Sequence, residues 1–152
     1  MTRAEQFAPL AAERAARWSN FARWQTVYFP QYLGLTLEEL RTDYARMRLA
    51  YKPEFRQPAG VWHGGVIATM LDTVVVPAIG SGYDEPRELF TIDIQLRFLA
   101  PIREEGAVVE GWVVRRGRSI VFCDAEVCAD SGTVAATATL VYKVSSRTQV
   151  LE

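Results

Sequence analysis

Histidine is almost missing from this chain, with one in 152 residues. A multi-histidine metal centre and a histidine relay within one chain are thereby excluded. Cysteine is nearly as scarce, and the two present, Cys123 and Cys128, are five residues apart. On a shared strand they would point to opposite faces, which makes them poor disulfide partners and reads as reduced thiols in a cytoplasmic protein. Positive charge is not in excess: 17 Lys and Arg stand against 18 Asp and Glu, a formal net charge of −1. The net-basic footprint of a nucleic-acid-binding domain is absent. No apolar run approaches the roughly 18–20 residues of a membrane helix. The opening stretch MTRAEQFAPLAAERAARW carries charges throughout, so it is not expected to act as a secretory signal. No metal or cofactor, and no nucleic-acid or membrane partner, is expected.

What the chain does have is an ordinary globular mix, 49% hydrophobic and 23% charged, and the length of one domain. Residues 4–28 follow a helical period, with Phe7, Leu10, Ala11, Trp18, Phe21, Ala22 and Tyr28 on the apolar side. They predict an amphipathic helix, either packed on the domain's flank or serving as a partner-binding arm. Pro9 marks a possible later start. After Pro30 the period changes, and residues 35–42 and 43–52 read as two strands. The breaker cluster from Lys52 to Gly60 reads as a loop.

From Gly64 to Ile79 the chain is almost wholly apolar. Periodicity alone admits a helix or buried strands; sixteen residues is long for one strand. The spacing and the leading glycine pair predict a buried helix, ended or kinked by Pro77. Four strands follow, at about 89–99, 107–115, 119–130 and 133–144, with turn signals at Arg116-Gly117-Arg118 and Asp130-Ser131-Gly132. In the first, Phe90, Ile92, Ile94, Leu96 and Phe98 alternate with Thr91, Asp93, Gln95 and Arg97. The last three read as an antiparallel meander. The polar tail after Lys143 is expected to fray. The organisation is an N-terminal helical extension over 1–30, one domain over 31–146 and a tail over 147–152. A helix apolar all round must be wrapped on several sides, and a strongly curved antiparallel sheet does that. The fold class is α+β.

Asp72 is the anomaly. It is the only acidic or basic residue between His63 and Asp84, on the most apolar segment of the chain. An ionised carboxylate there needs partners. It reads either as a structural aspartate or as a general base or nucleophile. His63-Gly64-Gly65 is the second feature. First-turn N–H groups have no intrahelical partner and can stabilise an oxyanion, and glycine lets a ligand approach closely. Gly64 and Asp72 are separated by eight residues, about 12 Å of helix rise. That is too far for both to serve one carbonyl. Two antiparallel copies would bring one helix start beside the other helix's middle, so a site using both groups is shared between chains.

The run Gln57-Pro58-Ala59-Gly60-Val61-Trp62-His63-Gly64-Gly65 through Asp72-Thr73 resembles the signature of hotdog-fold acyl-CoA thioesterases of the phenylacetate-pathway (PaaI-like) branch. The stretch Thr91–Pro101 is similar to that family's post-helix strand. The resemblance covers residues 43–144. It implies hydrolysis of an acyl-CoA thioester to free acid and CoA, at composite sites of a homodimer or a dimer of dimers (homotetramer). CoA then enters as part of the substrate, not as a cofactor. It further implies that Asp72 is the catalytic carboxylate, that the Gly64 N–H polarises the carbonyl, and that His63 shapes the loop. Thr91 would help hold the attacking water, with Gly65 close to the substrate. Gln57 stands where many members carry Asn, one methylene shorter. Arg116 and Arg118 are either a solvated hairpin tip or, by the resemblance, phosphate contacts on the CoA path. Trp62, Met70, Tyr83 and Phe90 are candidates for an acyl pocket, each also readable as core. Two other readings remain: a hotdog module that binds acyl-CoA without cleaving it, and a hydratase, which the lone histidine's position disfavours.

Overall fold

The computed structural model describes residues 2–19, 21 and 25–148. A 3₁₀ turn at Ala4–Gln6 is followed by helix α1 (Ala12–Trp18) and the short helix α2 (Phe29–Leu33). Strands β1 (Thr36–Arg41) and β2 (Tyr44–Leu49) precede a second 3₁₀ turn, Pro53–Phe55. Helix α3 (Gly64–Gly80) leads into β3 (Arg87–Phe98), β4 (Ala107–Arg116), β5 (Ile120–Ala129) and β6 (Val134–Thr148).

The six strands form one antiparallel sheet in the order β1-β2-β4-β5-β6-β3. The expected meander is β4-β5-β6. Strand β3, which follows the helix in sequence, joins the far edge beside β6. Helix α3 packs across the sheet, chiefly on β4, β2 and β5. Met70, Leu71, Val74, Val75, Ala78 and Ile79 are fully buried. At about 1.5–3 kcal/mol per large aliphatic side chain, this burial dominates the helix's stability, since its β-branched run is a poor intrinsic helix former. This is the hotdog architecture, a curved sheet wrapped around one long helix.

Three details place the helix. A Cβ at Gly111, in mid-β4, would stand 2.6 Å from Val74 Cγ1 and 3.0 Å from Val75 Cγ1, so the close approach of helix and strand requires glycine. Pro77 does not end the helix, which continues to Gly80. Proline removes only the bond to the Thr73 carbonyl, and the buried segment has no other place to go. Ser81, fully buried, donates to the Ala78 carbonyl (2.7 Å) and accepts from the Asp43 N–H (2.8 Å), tying the helix end to the β1–β2 turn.

The sequence reading is corrected in three places. The single helix over 4–28 is instead broken. Pro9 pairs with Arg41 in an extended bridge, the Thr42 N–H donates to the Ala8 carbonyl (3.0 Å), and Phe7 stacks on Tyr44 at 5.2 Å. Residues 7–10 thus serve the end of β1, and helix begins only at Ala12; Ala22 lies outside the described residues. At the other end, β6 runs on past Lys143, with Thr148 opposite Arg87. Finally, the alternation in β3 breaks. Thr91 pairs with Tyr142 but Asp93 with Val141, so Ile92 is the extra residue of a β-bulge. Leu89 and Thr91 therefore share the inner face with Ile94 and Leu96. Phe90 and Ile92 face outward, 55% and 56% exposed.

Gly111→Ala should lower unfolding free energy by about 1–3 kcal/mol, the scale of an overpacked core methyl, with secondary structure retained. Urea denaturation followed by circular dichroism checks this. An unchanged midpoint would mean that α3 does not lean on β4 as closely as described.

Candidate active site

Asp72 sits two turns into α3, on the helix face directed at β3 and β6 rather than at the central strands. Its Oδ1 accepts a hydrogen bond from Thr91 Oγ1 at 2.9 Å. The Tyr142 hydroxyl lies 2.5 Å from the same oxygen and 2.7 Å from the Asp72 backbone carbonyl. No hydrogen bond to Oδ2 is formed among the described residues, which leaves that oxygen available for chemistry. The β3 bulge is what makes the Thr91 contact: unbroken alternation would set Thr91 on the outer face with Asp93 and Gln95.

Tyr142 was missed by the sequence reading. Its signal was a tyrosine on the inward side of β6, in line with the buried Ala138, Leu140 and Val144. A buried phenol needs a polar partner, and the nearest charged residue on the facing helix is Asp72. Burial, and then the adjoining Asp72 charge, hold the Tyr142 hydroxyl well above the ordinary value of 10.0. It remains a neutral donor at neutral pH.

Above this cluster lies a cavity of about 560 Å³. Ala68, Val76, Leu89 and Ile94 supply its aliphatic walls, and Trp18, Phe21, Tyr28 and Phe29 its aromatic ones. The residues expected to line an acyl pocket are elsewhere. Met70 is fully buried, Tyr83 lies under the Arg116 guanidinium (4.7 Å), and Phe90 points outward. Trp62 is buried with its ring edge-on to Phe55 at 5.4 Å, its Nε1 finds no partner among the described residues, and it borders the cavity beside Gly64.

The second group of predicted residues gathers at the start of α3. His63 is the N-cap, its Nδ1 accepting from the Gly65 N–H at 2.9 Å, which leaves Nε2 as the protonated nitrogen of the neutral ring. Gly64, as the first helical residue, has an N–H with no intrahelical partner. A Cβ there would stand 2.9 Å from the Phe98 ring, so glycine keeps the N–H approachable beside the end of β3. Gln57 Oε1 accepts from the Ala59 N–H at 2.8 Å, closing its own loop and leaving the amide NH₂ free for other bonds. Gln57 and Gly64 border an open cavity of about 450 Å³. It shares no lining residue with the one over Asp72. One chain therefore holds two separate clusters of the predicted residues.

Arg116 and Arg118 join neither. Arg116 pairs with Asp43 and donates to the Ile79 carbonyl at 3.0 Å, neutralising the C-terminal end of α3. Its Nη2 thus serves the fold, while its buried Nη1 finds no partner among the described residues. Arg118 is exposed in the β4–β5 turn. Among the described residues, no cluster of His, Cys, Asp or Glu is placed to hold a metal ion, and no helix is long and apolar enough to cross a membrane.

These features place the chain in a known class. A thioesterase-superfamily family model matches residues 59–136, and the chain belongs to that superfamily. It is similar to the medium/long-chain acyl-CoA thioesterase YigI of Escherichia coli, 27% identical over 155 aligned positions, 90% of this chain and 98% of that one. It is 26% identical over 93 residues to the protein named "Putative esterase SSO1253" of Saccharolobus solfataricus, 61% of each chain. Among solved structures, the PaaI protein of the E. coli phenylacetic acid degradation operon shares the fold. The TM-score is 0.81 at 14% identity, over 91% of this chain and 98% of that one. Thioester hydrolysis is the general chemistry that this membership supports.

Tyr142→Phe should cost about 1–3 kcal/mol at pH 7 by removing a buried donor from the carboxylate. The raised Tyr142 value also has a linkage sign. An unfolded chain releases the phenolic proton near pH 10 while the folded one keeps it, so this stabilisation is complete below pH 10 and is lost as pH rises further. The gap between wild type and Tyr142→Phe should therefore narrow from pH 10 to pH 11. Chemical denaturation across that range measures it, and a widening gap would contradict the assignment.

Proposed function

We propose that the protein hydrolyses acyl-CoA thioesters at a composite site, with Asp72 of one chain and the Gly64 N–H of a second copy acting on the same carbonyl. The observation that carries this reading is the Asp72 carboxylate. It is held at Oδ1 by Thr91 and Tyr142, free at Oδ2, and set in the floor of an apolar cavity. Asp72 Oδ2 takes a proton from water as the water oxygen bonds to the thioester carbon. The carbonyl oxygen becomes an oxyanion at the Gly64 N–H. Collapse breaks the C–S bond, and the proton passes from Asp72 to the departing CoA thiolate. Direct attack by Oδ2 would instead form a mixed anhydride, which hydroxylamine would trap. The name of the relative YigI supports acyl-CoA as the thioester.

The edge strand supports the second copy. Strand β3 has no neighbour on its outer side and carries exposed Phe90, Ile92 and Phe98. Such an edge invites pairing. Thr91 touches the Asp72 half-site and Phe98 the Gly64 half-site. An antiparallel pairing of β3 with its own copy, centred on Gln95 and stepping over the Ile92 bulge, sets Thr91 opposite Phe98 of a second copy. Each Asp72 then adjoins a Gly64 across the two-fold axis. A further doubling to a dimer of dimers would leave this pairing intact.

Asp72→Asn should lower kcat by about 10²–10⁴ with the fold retained. Gly64→Pro should lower it by about 10²–10³. Proline is tolerated at a first helical position, and His63 already has the extended backbone that proline demands of its predecessor (φ −65°, ψ 134°). Gly64→Ala, with the same Cβ but an intact N–H, controls for crowding of Phe98. When the two inactive variants are mixed in equal amounts and allowed to exchange, half the dimers are mixed and each holds one intact site. Activity, followed as free thiol release, should return to about a quarter of wild type. Free exchange without recovery excludes a shared site. No turnover of any acyl-CoA by wild type favours a binding module.

A further inference from the structure

The aromatic walls of the cavity over Asp72 come from the segment that precedes β1. Trp18 closes α1, while Phe21, Tyr28 and Phe29 follow it. The facing floor is one side of α3, through Asp72 and Val76, and the next position on that side is Gly80. The Trp18 indole fills the space there: a Cβ at Gly80 would overlap its Cζ2. Helix α1 is fastened in this position by two arginines. Arg14 donates to the Ser81 carbonyl (3.3 Å) and pairs with Asp84, and Arg17 donates to the carbonyls of Tyr83 (3.2 Å) and Asp84. Beyond the indole lies a separate void of about 20 Å³, bordered by Val76, Gly80, Pro86, Leu89 and the two arginines Arg17 and Arg87. Val76 and Leu89 also border the main cavity. Trp18 is thus a partition, about 12 Å of helix rise from the carboxylate. Among the described residues, Asp72 is the one charged side chain that lines the main cavity.

We infer that Trp18 sets the length limit of the acyl group. This rests on the acyl-CoA reading above. A tail entering at Asp72 runs along Val76 toward Gly80 and stops at the indole. Trp18 is a specificity-determining residue and does not touch the reacting atoms.

S-alkyl-CoA thioethers of increasing length, which cannot be hydrolysed, test this by calorimetry on the full-length protein. In wild type each added methylene should tighten binding about fourfold until the tail meets Trp18, after which the gain stops. In Trp18→Ala the gain should continue to longer chains. Trp18→Leu, which keeps an apolar filling for α1, should shift the limit in the same direction if the alanine variant proves unstable. The same limit in wild type and in the folded variants would overturn the assignment, as would binding by none of the thioethers. If the length limits behave as stated and acyl-CoAs are still not turned over, the hydrolase reading fails while the role of Trp18 stands.

Discussion

A helix that is apolar on nearly every side has to be covered on nearly every side, and this constraint organises the molecule. Helix α3 meets it by lying in the curve of a six-stranded sheet, with its Val74–Val75 step pressed onto a strand that has glycine at the point of contact. Burial outweighs local preference throughout. The β-branched run Val74-Val75-Val76 and the proline after it are poor helix material, yet the helix continues to Gly80. The helix end is finished by groups from other elements: the Ser81 hydroxyl, the Asp43 backbone and the Arg116 guanidinium.

The sheet covers only part of the helix, and the candidate chemistry lies on the remaining side. There the cover consists of the β3–β6 edge and the aromatic N-terminal segment, with a cavity between them and the helix. Among the described residues that line this cavity, Asp72 is the one that carries charge. Its carboxylate is made tolerable by two hydroxyl donors that converge on one oxygen and leave the other unused. A purely structural aspartate would be better served with both oxygens bonded. The Gly64 N–H, at the other end of the same edge strand, has the complementary character of a donor without an acceptor. Edge strand, half-sites and exposed apolar side chains all lie on one border of the molecule, which is why a second copy completes the chemistry in the proposed mechanism.

The N-terminal segment links fold and specificity. It is fastened at several points: Pro9 beside Arg41, Phe7 on Tyr44, and the two α1 arginines on the loop after α3. Its aromatic side chains are consequently walls of the cavity. The same fold with a different N-terminal segment would keep the carboxylate and its donors and change the space in front of them.

Much of this was legible in the sequence because it depends on local pattern. The apolar run from Gly64 predicts a wrapped helix, the later alternations predict strands, and His63-Gly64-Gly65 with Asp72 marks the two ends of the proposed chemistry. The half-sites stay apart in one chain because helix rise is fixed, which spacing alone reveals. Tertiary structure decided the rest. The bulge at Ile92 turns Thr91 toward Asp72, and only the register against β6 reveals it. Tyr142 is seventy residues from Asp72 in sequence, and pairing of β3 with β6 is what makes it a neighbour. Arg116 looks like a free cation at a turn until the fold brings Asp43 and the helix end beneath it. The N-terminal stretch has a helical period, but the bridge of Pro9 to β1 offers partners that period cannot express. In each case the deciding partner is far along the chain, and a periodic pattern records which face a residue prefers, not which residue it meets there.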